Sequence, residues 1–387
     1  MNKIPYGRQF VDSFDIKSVV NSLKEDLITT GNYVKKFESK IIKLLKCKYA
    51  VSCSSGTSAL HLSLLAINLK EKDIIIMPAI NFIAVYNMSR LIGAKIYLAD
   101  VDPLTGQMTP ETLLDCIKKN NIKKIKVIIT MYLGGYPENV LEFYKIKKKF
   151  KCILIEDACH ALGARYFNQE KKHLYVGSCR HSDISTFSLH PVKTITAGEG
   201  GIVTTNNKAF FKNFLLLRSH GIVKNKSKHW KYNISNIGFN YRLSDISCAL
   251  ALSQLGKIKK FIYYRKKIFE NYVKNLKPYI RFPIYNKNNI PSHHLFLISI
   301  DFKKYKLSKD QFLNFFKKKN IFFQYHYIPI YKFTVFKKNN FLYKGAEEYY
   351  ANTLSLPIYF NLSFESQKKI IDIINSYLKL RLANFKV

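Results

Sequence analysis

No stretch of this 387-residue sequence reaches the roughly 18 uncharged apolar residues that a membrane-spanning helix requires. The segment Met1-Asn-Lys-Ile-Pro-Tyr-Gly-Arg8 also lacks the apolar centre of a signal peptide. These absences point to a soluble, cytoplasmic protein with no membrane partner. Paired cysteines are missing as well. The seven cysteines, Cys47, Cys53, Cys116, Cys152, Cys159, Cys179 and Cys248, are scattered and form neither a Cys-x-x-Cys pair nor a zinc-ligand spacing. That excludes a disulfide scaffold and leaves no metal site to expect. Internal repeats, low-complexity linkers and long disordered tails are absent too. At about 100–200 residues per domain, the length admits one large domain and a smaller one, each with its own apolar core.

Acidic residues are scarce: 26 Asp and Glu stand against 63 Lys and Arg, for a net charge of +37. A field of that sign attracts polyanions and raises the possibility of a basic nucleic-acid-binding protein, which would show strong salt-dependent DNA binding. The distribution argues against it. Lysines run along the whole chain in short groups such as Lys317-Lys-Lys319, which closes a helical pattern on a solvated face. With frequent Ile, Asn, Tyr and Phe, the excess fits a bias toward AT-rich codons. A basic surface remains compatible with small polyanions such as nucleotide sugars, and no nucleic-acid partner is expected.

What is present is an alternation of apolar runs and helical periods. Tyr49–Cys53, Asp73–Met77, Lys95–Val101, Lys126–Met131, Cys152–Glu156, Asp183–Phe187 and Gly201–Thr205 read as strands. Helices are expected to start near Thr57, Phe82, Thr109 and Asn139, with Thr109-Pro-Glu supplying an N-cap hydroxyl and a proline at the first helical position. This is the pattern of an α/β protein with a mainly parallel seven-stranded sheet covered by helices. From Leu243 to about Leu276 the period is helical. Beyond it, His294–Ile300 and Ile321–Tyr327 read as strands, and Ser308–Lys319 and segments near Gly345 and Ser363 as helices. The expected division is residues 1–255, a large domain with an N-terminal helical segment, and 256–387, a small α+β domain.

Three segments carry chemistry. In Ser52-Cys-Ser-Ser-Gly-Thr-Ser-Ala-Leu-His61 a strand gives way to a helix through small hydroxylated residues. Backbone N–H groups at that helix start, helped by Thr57 and Ser58, suit a phosphate, although the same residues serve as ordinary N-caps. In Ile153-Leu-Ile-Glu-Asp-Ala-Cys-His-Ala-Leu-Gly163, Asp157 ends an apolar strand, where ligands of open α/β sheets sit. It would pair with a protonated pyridine nitrogen or cap a turn. In Ser185-Thr-Phe-Ser-Leu-His-Pro-Val-Lys-Thr-Ile-Thr-Ala-Gly-Glu-Gly-Gly201, Lys193 sits between Pro191 and three glycines. It is either solvated or, desolvated in a cleft, a nucleophile able to form a Schiff base.

Together these segments resemble the DegT/DnrJ/EryC1/StrS family of sugar aminotransferases. The resemblance rests on Ser-Gly-Thr-Ser-Ala-Leu-His (55–61), Glu-Asp-Ala-Cys-His-Ala-Leu-Gly (156–163), Phe-Ser-Leu-His-Pro-Val-Lys (187–193), Gly-Glu-Gly-Gly (198–201) and Gly-Phe-Asn-Tyr-Arg-Leu (238–243), and spans essentially the whole chain. It implies the pyridoxal-phosphate (PLP)-dependent transferase fold type I, like aspartate aminotransferase, with pyridoxal 5'-phosphate as cofactor. By the same resemblance Lys193 carries the cofactor covalently and Asp157 contacts its ring nitrogen. Thr57, Ser58 and Ser188 bind its phosphate, and Phe82 covers the ring. His160 lies beside the ring, or is a packed structural histidine. Asn240 reaches the phosphate of the neighbouring subunit's cofactor, which implies a homodimer with shared sites. Cys159 stands where Ala or Ser is more usual, and Leu189 precedes His190 where family members vary; neither removes a required group. Members that dehydrate have His in place of the lysine, so Lys193 argues for amination. A non-catalytic sensor using the same cofactor would keep colour without turnover.

Arg218-Ser-His-Gly221, Ser253-Gln-Leu255 and Gln324-Tyr-His-Tyr-Ile-Pro-Ile-Tyr331 narrow the resemblance to members of pseudaminic acid biosynthesis. These aminate a UDP-linked 4-keto-6-deoxy-N-acetylhexosamine with glutamate as donor. Tyr325, His326 and Tyr327 are then substrate contacts, or else an aromatic-rich strand. Another nucleotide-linked keto sugar, of the perosamine or bacillosamine type, is the alternative substrate.

Overall fold

Seven short runs, six of them with four or five buried residues, form one central sheet in a computed structural model. The structure describes residues 3–225, 227–228, 230–276, 278, 280–336 and 342–383. The chain opens with helices α1 (Ser13–Ser22) and α2 (Asn32–Leu45) and then alternates: β1 (Tyr49–Cys53), α3 (Gly56–Ala66), β2 (Ile74–Pro78), α4 (Ala84–Leu91), β3 (Lys95–Ala99), α5 (Pro110–Lys119), β4 (Val127–Met131), α6 (Val140–Phe150) and β5 (Ile153–Asp157). A hairpin of β6 (Arg165–Phe167) and β7 (His173–Tyr175) precedes β8 (Ile184–Ser188), β9 (Gly201–Thr205) and α7 (Lys208–Leu217).

The sheet order is β1-β9-β8-β5-β4-β2-β3, and β9 alone runs antiparallel to its neighbours. All five residues of β4, Val-Ile-Ile-Thr-Met, are buried, as a strand covered by helices on both faces must be. The strands read from the sequence match these within about two residues at each end. Their order was not legible, because it is set by pairing between segments far apart in the chain. Helix α3 is buried almost all round and packs on β8, β9, α4 and α7. Its start therefore lies inside the molecule, beside the carboxyl ends of the strands. The expected cap of α5 is present: Thr109 and Thr112 exchange side-chain bonds to each other's backbone N–H, with Pro110 following.

After the exposed hairpin β10 (Ile222–Lys224) and β11 (Tyr232–Ile234) come α8 (Asp245–Gly256) and α9 (Ile258–Asn275). The rest comprises β12 (Phe296–Ser299), α10 (Lys309–Lys318), α11 (Lys344–Asn352), β13 (Thr353–Leu356) and α12 (Phe364–Ala383). Helix α9 begins against one core with Ile258 and Phe261 and ends in another with Ile268, Tyr272 and Leu276. Strand period does the same around β12: Leu295 and Leu297 face the large core, Phe296 and Ile298 the small one. Ile4 joins the small core, while Ile330 and Tyr349 join the large one, so the packing does not divide at one point of the chain.

The segment Ile321–Tyr327 departs from expectation. It pairs only at Ile321 with Ile4 and at Gln324 with Ser355, and forms no strand. Tyr325, His326 and Tyr327 line a cleft between the cores, while Phe323 packs against the small core. Among the described residues no helix is long and apolar enough to cross a membrane, no group of three His, Cys, Asp or Glu could hold a metal, and all seven cysteines are free thiols.

Candidate active site

The cleft, a cavity of about 570 Å³, lies at the carboxyl ends of β1, β2, β5 and β8. That size and place are typical of small-molecule sites in α/β sheets. Thr57, Phe82, Asp157, His160, Ser188, Lys193, Tyr325, His326 and Tyr327 all line it.

One end is built from the start of α3. Ser55 caps the helix by accepting the Ser58 amide at 3.0 Å, and Ser58 Oγ accepts the Ser55 amide at 2.8 Å. This capping box leaves the Gly56 and Thr57 amides without an intrahelical acceptor. A side chain on Gly56 would meet Ser188 Cβ at 2.9 Å and Cys159 Sγ at 3.4 Å, so α3, the end of β8 and the loop after β5 converge here. Two open amides with the Thr57 and Ser188 hydroxyls make an anion seat. Ser58 differs from expectation: it is buried outside the cleft lining, and its hydroxyl is spent on the cap, since the box needs that residue type for the helix itself.

Asp157 ends β5 with its carboxylate buried. Burial pushes its pKa up, opposed by the Cys159 thiol and amide and by Lys193; the Cys159 amide donates to Oδ1 at 3.2 Å. Lys193 follows a tight turn in which its amide donates to His190 O at 2.9 Å. Burial lowers its pKa, opposed by Cys159 and Asp157. A lysine held down and a carboxylate held up in one cleft leave each short of a full partner. A ligand with both a carbonyl and a cationic ring nitrogen would supply them.

Phe82, 51% exposed, presents its ring to the cleft 5.6 Å from that of Tyr327. His160 is buried; its Nδ1 accepts the Gly134 amide at 3.3 Å and its Nε2 lies 3.0 Å from the Tyr327 hydroxyl. His326 bonds through Nδ1 to Ser355 Oγ at 2.8 Å, and burial, then Lys193, push its pKa down to about 3. The Tyr325 ring carries Lys309 Nζ at 4.2 Å from its centroid.

Among the cleft residues that sequence reasoning missed, two have unpartnered polar atoms. Asn81 is 1% exposed, and neither end of its side-chain amide has a partner. His294, with Nδ1 unpartnered, lies 4.3 Å from the His160 ring. Asn81 ends the same kind of strand-to-loop junction as Asp157, so the rule that singled out one would have found the other. Asn240 is exposed and does not line this cleft. The segments at 218 and 253 do not reach it either. Arg218 pairs with Glu38 at 2.7 Å and donates to Ser52 O, while Ser253 and Gln254 bond to Asp15 of α1, each at 2.6 Å.

The lining fits pyridoxal phosphate: an anion seat, a carboxylate lacking a cation, a desolvated lysine, an exposed aromatic face and an orphaned amide at Asn81 all face one space.

The model of the DegT/DnrJ/EryC1/StrS aminotransferase family matches residues 10–375. The chain is 33% identical over 383 residues to a UDP-4-amino-4,6-dideoxy-N-acetyl-beta-L-altrosamine transaminase of Campylobacter jejuni subsp. jejuni serotype O:23/36 (strain 81-176), covering 97% of this chain and 98% of that one. Among solved structures it is similar to Helicobacter pylori PseC, an aminotransferase involved in the biosynthesis of pseudoaminic acid, with a TM-score of 0.88 and 29% identity over 98% of this chain and 100% of that one. It is similar also to Spr1654 of Streptococcus pneumoniae, assigned as a sugar aminotransferase, in its PLP form, with a TM-score of 0.88 and 25% identity over 98% and 100% of the two chains.

Proposed function

Because the chain belongs to the DegT/DnrJ/EryC1/StrS aminotransferase family and is a pyridoxal-phosphate-dependent sugar aminotransferase, we propose that it aminates carbon 4 of a UDP-linked 4-keto-6-deoxy-N-acetylhexosamine in pseudaminic acid biosynthesis, with glutamate as donor. Full-length similarity to the Campylobacter transaminase supports the substrate. The observation that carries the chemistry is that Lys193 and Asp157 line one cleft together with the open start of α3, each favouring the charge of the other against burial.

The bound cofactor supplies an electron sink through which an amino group leaves one carbon and later joins another. Lys193 Nζ holds the cofactor at rest. Once uncharged, Nζ would be placed to take and hold the proton of the glutamate α-carbon, and in the second half of the reaction to give a proton to carbon 4 of the sugar. The lowered pKa suits both tasks, since a fully charged ammonium is no base. Asp157 keeps a proton on the ring nitrogen, and that cation in turn offsets the cost of the buried carboxylate. Thr57, Ser188 and the first amides of α3 hold the phosphate, Phe82 covers one ring face, and Tyr325 and His326 face the sugar. We also assign a homodimer with shared sites: α1 exposes Phe14 at 75% and Ile16 at 59%, Ile237 is 86% exposed, and Asn240 is free to reach a partner's phosphate.

The test is the visible spectrum of the protein with pyridoxal phosphate, before and after glutamate, then after the UDP-linked 4-keto sugar. Yellow that bleaches with glutamate and returns with this sugar supports the reading. Return only with a GDP-linked or bacillosamine-type keto sugar moves the substrate to that alternative, and absence of colour defeats the assignment of Lys193.

A further inference from the structure

We infer that the Tyr327 hydroxyl is the donor that receives the carbonyl oxygen of the keto sugar, and that His160 is the positioning residue that keeps it a donor. The inference rests on the proposed amination of a keto sugar and follows the direction of three hydrogen bonds.

The first is fixed by the backbone. Gly134 has φ 74°, a conformation that side chains rarely adopt, and its amide points at His160 Nδ1, 3.3 Å away. A ring nitrogen that accepts an N–H carries no proton, so a neutral His160 must be protonated on Nε2. Neutrality is secured by surroundings: burial first, then Lys193, His294 and His326, hold the His160 pKa well below its ordinary value.

The second bond follows. Nε2 lies 3.0 Å from the Tyr327 oxygen, so Nε2–H donates and the phenol oxygen accepts. The Tyr327 proton is then barred from His160 and must go elsewhere. Among the described residues no other partner holds that hydroxyl. Tyr327 lines the cleft with Lys193 and Asp157, so the third bond is directed into the space where substrate enters. Burial, then Asp157 and Cys159, push its pKa well up, so the proton stays on. The segment is held from behind, where Tyr349 donates to His326 O at 2.5 Å.

A ketone oxygen has lone pairs and no proton, and accepts what Tyr327 offers. As the amino nitrogen bonds to carbon 4, the carbonyl π pair moves onto that oxygen, where a donor already in place stabilises the growing charge. The oxygen departs as water with the two protons of the amino nitrogen.

The experiment separates the two halves of the reaction in the holoenzyme of Tyr327→Phe. Loss of colour with glutamate is complete once the proton has moved and involves no carbonyl. Return of colour with keto sugar begins at the carbonyl. In Tyr327→Phe, bleaching should proceed within about twofold of wild type, while return slows about 100- to 1,000-fold, the usual effect of removing one such donor. His160→Phe should slow the return, and His160→Gln, which can accept from Gly134 and donate to Tyr327, should recover part of the rate that His160→Phe loses. Equal slowing of both halves, an altered resting spectrum in Tyr327→Phe, or no slowing at all overturns the inference. The rates are read with whichever nucleotide-linked keto sugar restores colour to wild type, so an error in the proposed sugar does not pass for one in Tyr327.

Discussion

Glu156 and Asp157 are neighbours on β5, both 2% exposed, and their carboxylates lie on opposite faces of the sheet. Glu156 is consumed by structure: Tyr132 donates to it at 2.8 Å and Ser185 through a short bond. Asp157 faces the cleft, with the Cys159 N–H as a backbone donor and Lys193 as the nearby cation. Two adjacent buried acids thus have separate tasks, and the strand's period of two decides which is which.

Lys193→Ala tests the cofactor lysine. The residue gains nothing from its burial, which lowers its pKa, so its loss should leave the fold and the melting temperature intact. The yellow of a lysine-bound cofactor should vanish, and turnover should fall by at least the roughly 100- to 10,000-fold supplied by a positioned acid-base group. Turnover retained near wild type would remove Lys193 from the chemistry.

Asp157→Asn should move stability and activity in opposite directions. Burial raises the Asp157 pKa, so the folded state holds its proton to higher pH than the unfolded one; above that range the charged form destabilises the cofactor-free protein. Asparagine removes this cost, and the cofactor-free melt should rise at neutral pH. Activity should drop about 100- to 1,000-fold, as when one preorganised charge is removed. A melt that falls with activity would mean that Asp157 serves the fold.

The sequence made the strands legible because buried parallel strands need apolar runs ended by turn residues, which Val127–Met131 and Ile153–Asp157 supply. Roles were harder, because one residue type serves two physical ends. Ser58 in a Ser-Gly-Thr-Ser start reads equally as phosphate ligand or capping-box partner, and only its bonds to Ser55 choose. Asn81 follows a strand end, which marks its place near the cleft, but that its amide lacks a partner is visible only once its neighbours are placed. Ile321–Tyr327 has strand-like residues, but whether they pair depends on the distant Ile4 and Ser355.

Arg218 illustrates the same ambiguity and can be tested. Its guanidinium sits on Glu38 and on Ser52 O, both at 2.7 Å, with side chains 13% and 17% exposed, pinning β1 to α2. Arg218→Ala leaves the half-buried Glu38 carboxylate with only the Ser52 amide and hydroxyl as donors and should cost about 1–3 kcal/mol of stability. The choice among keto sugars should not change. A shift in sugar preference without loss of stability would place Arg218 at the substrate site.

Lys309 should make stability climb with pH on the alkaline side. It stands at the start of α10, its ammonium between the rings of Tyr325 and Tyr350 at 4.2 and 4.9 Å from their centroids and bonded to Tyr350 O. Around it, Asp310 favours its charge, while Glu347 is paired with Lys332, 2.8 Å away, and gives it no relief. Burial wins, and its pKa drops from 10.5 to about 7. Between those values the unfolded chain keeps the proton that the folded chain has shed, so the unfolded state binds more protons and raising the pH favours the fold. Below about pH 7 both states are protonated, and this contribution is flat. Urea melts of wild type from pH 7 to 10 should therefore gain stability relative to Lys309→Met, which has no proton to lose. Because Tyr325 lines the cleft, the same titration should leave the sugar's KM flat below pH 7 and raise it above, as the cation that holds the ring is lost. Parallel stability curves for wild type and Lys309→Met would show that the ammonium stays charged in place, with the rings and the Tyr350 carbonyl compensating for its burial.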